Sequence, residues 1–172
     1  MTRRHRLVLA ALAVLLSVES ARAQGASVAV GIAMPAADFA NGASPGLDAQ
    51  LQLRTDPMIG PLALRIEISY DHFSGKGGAA GTTFSGQALS LIGDFGRDFY
   101  LSAGGGYYQS NHPMTIAGHT AVAQLNYLGA QAAVGANFPV FRWKGFVEVE
   151  AVRAFTPGTI LIFAPVRFGI RL

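Results

Sequence analysis

A two-residue rhythm of apolar and polar side chains recurs in segment after segment and limits this chain more than any single motif. Leu62, Leu64, Ile66, Ile68 and Tyr70 alternate with Ala63, Arg65, Glu67, Ser69 and Asp71. Alternation of this kind describes a strand with one apolar and one polar face. Leu47, Ala49, Leu51 and Leu53 alternate with Asp48, Gln50, Gln52 and Arg54 in the same way. Val28, Val30, Ile32 and Met34 share a face near the start, and Ile162, Ala164, Val166, Phe168, Ile170 and Leu172 share one at the end. Val147 and Val149 alternate with Glu148 and Glu150. Adding three segments with weaker alternation, the pattern predicts eight strands, at about 27–34, 46–54, 61–72, 83–93, 98–109, 122–135, 145–155 and 160–172.

The connections fall into two sets. Pro35 to Pro45, Phe73 to Thr82 and Ser110 to Ala121 read as long loops, joined on their side by the short Thr156 to Thr159. Asp56-Pro57, Asp94 to Arg97 and Asn137 to Arg142 read as tight turns. Loops at one end and turns at the other describe an all-β, up-and-down antiparallel meander of eight strands.

Such a meander closes with its apolar faces inward, as a soluble ligand-binding barrel does, or outward into lipid. Three features favour the outward form. The strands match the 9–11 or so residues that a tilted strand needs to cross a membrane. Only 13% of residues are charged against 51% hydrophobic, where a soluble domain carries about 25% charged. Aromatic residues gather at both ends: Phe95, Phe99, Tyr100, Phe138, Phe141 and Trp143 at the turns, and Tyr70, Phe73, Tyr107, Tyr108 and Phe155 at the loops. Amphipathic rings prefer the headgroup level.

The first 23 residues read as an address. Arg3, Arg4 and Arg6 precede an apolar run from Leu7 to Leu16, and Ala21 and Ala23 flank Arg22. This is the layout of a secretory signal peptide cleaved after Ala23, leaving a barrel domain at 24–172. The leader also explains the net charge of +3. It holds four of the 13 basic residues and one of the 10 acidic ones, which leaves nine of each. No basic footprint for nucleic acid remains. With no cysteine, disulfides, thiolate metal sites and a catalytic Cys are excluded.

The polar faces carry one constellation of charge. Arg65 and Glu67, Glu148 and Glu150, and Arg167 and Arg171 should share the turn-side half of the interior. There they form either an ion path or a salt-bridge plug, and the plug is favoured because buried charges must be paired. His72, His112 and His119 fall at or in the long connections without ligand spacing, so no metal or cofactor is expected. Ser110-Asn111-His112 has no acid nearby, and Gly104-Gly105-Gly106 and Gly75-Lys76-Gly77 lack the spacing of a phosphate loop. No catalytic residue is assigned, and an outer-membrane lipid-modifying enzyme is the weakest alternative.

The residues Tyr100 to Tyr108 (YLSAGGGYY), Ala136 to Val140 (ANFPV) and Val166 to Leu172 (VRFGIRL) give the chain a family likeness. It resembles the small OmpX-like, opacity-protein-like outer-membrane β-barrel domains. The resemblance implies a non-enzymatic protein in the outer membrane of a Gram-negative-type bacterium, surrounded by lipid and with both termini on the periplasmic side. Its role would be envelope integrity or adhesion to a host or cell-surface ligand through the loops. A narrow pore and a soluble periplasmic binding barrel are the alternatives. Family members usually end in Phe or Trp, read by the barrel-assembly machinery through the last strand, whereas this chain ends in Leu172. Pro165 removes a ladder hydrogen bond in that strand, and a bulge is expected there.

Overall fold

The computed structural model describes residues 23–77, 80–96, 98–116, 119–156 and 159–172. Eight strands follow one another: β1 (Ala23–Ala36), β2 (Ala43–Thr55), β3 (Leu62–Gly75), β4 (Thr82–Phe95), β5 (Phe99–Ile116), β6 (His119–Val140), β7 (Trp143–Thr156) and β8 (Thr159–Arg171). One short helix, α1 (Phe39–Gly42), interrupts the first connection. Every neighbouring pair is antiparallel, and β8 returns to β1 to close the barrel. The predicted leader lies outside the described residues apart from Ala23, which opens β1.

The register fixes the barrel's girth. Followed from partner to partner, the ladder leaves β1 at Ala26 and passes Leu53, Ile66, Leu89, Gly105, Ala130, Arg153 and Ile162. It comes back to β1 at Ala36, ten residues further along. With strands about 4.8 Å apart and a rise of about 3.3 Å per residue, that stagger over eight strands tilts them by about 40°. An interior of this size is filled by facing side chains.

The alternation in the sequence becomes an inside and an outside. Asp48, Gln50, Gln52, Arg65 and Glu67 are buried inward, while Val30, Ile32, Leu51, Ile68, Leu89, Leu101 and Phe168 stand exposed outward. The barrel is apolar on its outer face and carries its buried polar and charged side chains inside, the inverse of a soluble one.

Three expectations are corrected. Ser110 to Ala121 is not a long loop: β5 runs to Ile116 and β6 starts at His119, paired as one hairpin down to Ile116–His119. The loop reading relied on Pro113, but the ladder from β5 to β4 ends at Asn111–Thr83, so Pro113 lies beyond the last bond to that neighbour. The three histidines accordingly lie on strands, His72 in β3, His112 in β5 and His119 in β6. Nor is there a bulge at Pro165. It pairs with Ala33 of β1, and the ladder to β7 lapses after Val149–Val166 and resumes at Val152–Phe163 in the same register. The missing N–H is absorbed by a gap. A register shift occurs instead between Ser44 and Leu47, around Pro45 and Gly46 of β2.

The glycine run of β5 separates by face. Gly104 points inward, where an added Cβ would lie 2.1 Å from the Leu89 carbonyl oxygen. Gly105 points outward, and its nearest heavy atom would be 3.3 Å away. Gly104→Ala should therefore lower stability by about 1–3 kcal/mol, the usual cost of overpacking, while Gly105→Ala should be near neutral. Urea midpoints of the two variants folded in detergent would check this. Equal midpoints would mean that the backbone at Gly104 yields.

Candidate functional site

The lumen is built in three layers. The middle one is ionic and draws on every strand except β1. Arg65 is its first hub: Nε donates to Glu67 Oε1 at 2.8 Å and Ser90 Oγ at 3.2 Å, and Nη2 donates to Ser102 Oγ at 2.8 Å. Its Nη1 donates to Glu148 Oε2, which also accepts the Tyr100 hydroxyl at 3.0 Å. Arg167 is the second hub, gripping Asp48 through Nε at 2.6 Å and Nη2 at 3.0 Å. Its Nη1 donates to Glu150 Oε2 and, at 3.4 Å, to Glu148 Oε1. Amides fill the remaining valences of Glu67. Gln50 Nε2 donates to Oε2 at 2.7 Å, and Gln131 Nε2 donates to Oε1 at 2.7 Å while its Oε1 accepts the Tyr108 hydroxyl at 2.5 Å.

Toward the loop end the lumen is closed by rings. Phe73, Phe84 and Phe163 are fully buried, and Phe39 of α1 packs edge-on against Phe73 and Phe84 at centroid distances of 4.8 and 5.6 Å. Lys76 fastens the helix by donating its backbone N–H to the Gly42 carbonyl at 3.0 Å and Nζ to the Ala40 carbonyl at 2.6 Å. Toward the turn end a second apolar layer combines Ala29, Ala63, Ile92, Tyr100 and Phe146. Arg54 of β2 and Asp94 of β4 bridge over β3 there, with Nη2–Oδ2 at 2.6 Å and Nη1–Oδ1 at 3.1 Å.

Five of the six interior charges predicted from sequence meet in the middle layer: Arg65, Glu67, Glu148, Glu150 and Arg167. Arg171 does not join them as an ion-pair partner. Its guanidinium lies over Tyr100 and Phe146, 5.4 and 5.8 Å from the ring centroids. Asp48 was missed, with the amides and hydroxyls that complete the layer. The signal for it was present, since Asp48 shares the polar face of its strand with Gln50 and Gln52. Its height beside Arg167 follows only from the stagger.

Among the aromatics assigned to the membrane interface, Tyr70, Tyr107 and Phe155 stand exposed near the loop end, and Phe95, Phe99, Phe138, Phe141 and Trp143 near the turn end. Tyr100 is a correction, because it is buried and hydrogen-bonded to Glu148. Phe73 and Tyr108 face inward as well. In each case alternation along the strand overrides nearness to its end. Phe141 has φ +50, a left-handed backbone that costs a bulky residue free energy, and its ring is wholly exposed.

Outside the plug, α1, the end of β3 and the β5–β6 hairpin enclose an open cleft of about 610 Å³, lined by Phe39, Ser74, Thr82, His112, Leu125 and Tyr127 among others. His112 Nδ1 lies 2.8 Å from Thr82 Oγ1. Ser110 is buried with its hydroxyl unpartnered, so the Ser-Asn-His stretch forms no nucleophile–base pair. No group of three or more His, Asp or Glu side chains placed to hold a metal ion occurs among the described residues.

No family model matches the chain, and no curated protein matches it. Solved structures do. Neisserial surface protein A superimposes with a TM-score of 0.64 at 10% identity, covering 86% of this chain and 95% of that one. Ail, the attachment invasion locus protein of Yersinia pestis, gives 0.62 at 11%, covering 86% and 98%. The N-terminal β-barrel domain of Pseudomonas aeruginosa OprF gives 0.53 at 10%, covering 86% and 97%. The fold is that of the small eight-stranded outer-membrane barrels of the OmpX and opacity type.

Removing either hub should be costly, because it strands buried carboxylates. Arg65→Ala and Arg167→Ala should each cost about 3–5 kcal/mol, and Arg171→Ala, which loses ring contacts, about 0.5–2 kcal/mol. Urea unfolding in detergent reads all three. An Arg171→Ala loss as large as the other two would place Arg171 in the network.

Proposed function

We propose that this chain is an exported outer-membrane protein without enzymatic activity, whose filled barrel is a rigid mount for a binding surface at its exterior end. The apolar outward face and the exposed rings near both ends support the membrane setting. Arg153 fits it too: it points outward near the loop end and lies 5.8 Å from the Phe155 centroid, where a long cation reaches the headgroups. The strain accepted at Phe141 has a use if that ring anchors the turn in the opposite leaflet. We take the N-terminal 23 residues as the leader that directs export and the last strand as the segment offered to the assembly machinery.

The observation that carries the binding role is the β5–β6 hairpin. The ladder between β6 and β7 starts at Gly129–Ala154, so His119 to Leu128 has β5 alone as a ladder neighbour. That edge contains no Lys, Arg, Asp, Glu or Pro, the residues that usually blunt a free edge. An edge of this kind accepts an extended segment of another protein by strand addition, and adhesion is the function it serves best. One neighbour in fold, Ail, is solved in complex with the heparin analogue sucrose octasulfate. Here the exterior half offers few cations, chiefly Lys76 and Arg153, so a protein partner is favoured over a sulfated polysaccharide.

A pore is disfavoured because both ends of the lumen are closed. Planar-bilayer recordings of the purified barrel should stay at the baseline, and steady single-channel steps would reverse this reading. The binding role predicts that replacing residues 112–123 by an Asn-Gly turn leaves the protein in the outer-membrane fraction, with its mobility shift between unboiled and boiled samples intact. The same variant should cut adherence of the bacteria to cultured cells at least severalfold. Unchanged adherence would leave envelope support as the role, and release of the parent protein by osmotic shock without detergent would overturn the membrane setting.

A further inference from the structure

The buried layer does not balance its charge. Asp48, Glu67, Asp71, Glu148 and Glu150 are at most 3% exposed, and among the described residues the guanidinium groups buried with them are those of Arg65 and Arg167. Five carboxyl groups thus face two cations in a buried interior, where an unpaired charge is costly. Asp48, Glu67 and Glu148 have donors on both oxygens, and Glu150 has one on Oε2 while its Oε1 has none. Asp71 is fully buried, and neither oxygen has a hydrogen-bond donor.

Asp71 stands directly across the β2–β3 ladder from Asp48, both side chains pointing into the lumen. Two carboxylates in this relation repel at the distance where cross-strand pairs normally attract. Among the described residues no other group relieves them. On β4 the residue opposite Asp71 is Phe84. On β7 Glu150 adds a third acid, and on β8 Arg167 is the one cation within reach, with all three nitrogens already engaged by Asp48, Glu148 and Glu150. On β5 Tyr108 lies within electrostatic range but gives its hydroxyl hydrogen to Gln131.

We infer that Asp71 holds a proton in the folded barrel at neutral pH and donates it to Asp48, so that a carboxyl–carboxylate pair sits between the ionic layer and the aromatic plug. The proton removes one negative charge, satisfies an oxygen of Asp71 and gives Asp48 a donor besides Arg167. The pair couples barrel stability to pH. In the unfolded chain Asp71 releases its proton at about pH 4, whereas the folded barrel keeps it. The folded state binds more protons above that pH, so stability falls as pH rises, until the folded barrel releases the proton too.

The test compares parent and Asp71→Asn barrels folded in detergent, with urea unfolding followed from pH 5 to pH 9. Asn keeps the shape and the donor without the ionisation. The parent should lose up to about tenfold in its folding equilibrium constant per pH unit relative to the variant, which itself should be at least as stable at pH 8. The parent at neutral pH should also show the infrared carbonyl band of a protonated carboxylic acid, missing in the variant. Parallel pH curves, or no such band in the parent, would overturn the inference. So would stabilisation of the parent by added sodium or calcium that the variant abolishes, because the occupant would then be a metal ion. The band is measured on the parent alone, so the inference stays testable even if Asp71→Asn does not fold.

Discussion

Closing eight strands with a stagger of ten residues brings side chains from opposite walls within reach of one another, and the rest of the molecule follows from how that space is filled. Arg65 of β3 touches Ser102 of β5 and Glu148 of β7, across the lumen rather than along the wall. Arg167 of β8 reaches over β1 to Asp48 of β2. These contacts exist only if the register is correct on every ladder between, since a slip of one residue turns each inward charge outward. The two guanidinium hubs therefore reward one register and penalise the rest. An apolar filling would discriminate less sharply, because lipid accepts apolar side chains wherever they point.

The fold was legible because alternation is a local signal, carried by each strand whatever its neighbours do. Leu62 to Asp71 announces its two faces without reference to any other segment. The site was legible in part for the same reason, since Arg65, Glu67, Glu148, Glu150 and Arg167 lie on polar faces and had to point inward. What could not be read is height. Whether Asp48 or Arg171 meets Arg167's layer depends on the stagger accumulated over several ladders, and no single segment contains it. Arg171 lies one turn-side step beyond Gly169, level with the Tyr100 and Phe146 rings, and so meets faces of aromatic rings instead of carboxylates.

Strand ends failed differently. Tyr100, Phe73 and Tyr108 were read as interfacial because they are aromatic and terminal, yet each shares its parity with inward residues such as Ser102, Asp71 and Ser110. Their neighbours Phe99 and Tyr107 have the outward parity and do stand exposed. Pro113 misled in the other direction. Proline argues against a strand paired on both sides, but beyond Asn111 the strand β5 is paired on β6 alone, so Pro113 interrupts no ladder to β4.

That asymmetry connects the interior to the exterior. A lumen plugged by Phe73, Phe84, Phe163 and Phe39 needs no long loop to cover it, so the chain above the plug is free to continue as paired strand. The continued hairpin has two edges. On β5 the stretch beyond Asn111 carries Pro113, which has no N–H to donate, while on β6 the stretch from His119 to Leu128 contains no proline and no Lys, Arg, Asp or Glu. A hairpin selected only to stay soluble would be blunted on both edges. Proline on one edge alone would leave the β6 side, next to the cleft lined by Leu125 and Tyr127, as the edge open to the strand addition proposed above. A filled interior then has a further consequence, because a mount that does not yield would let a hairpin only two strands wide hold one orientation toward the partner proposed for it.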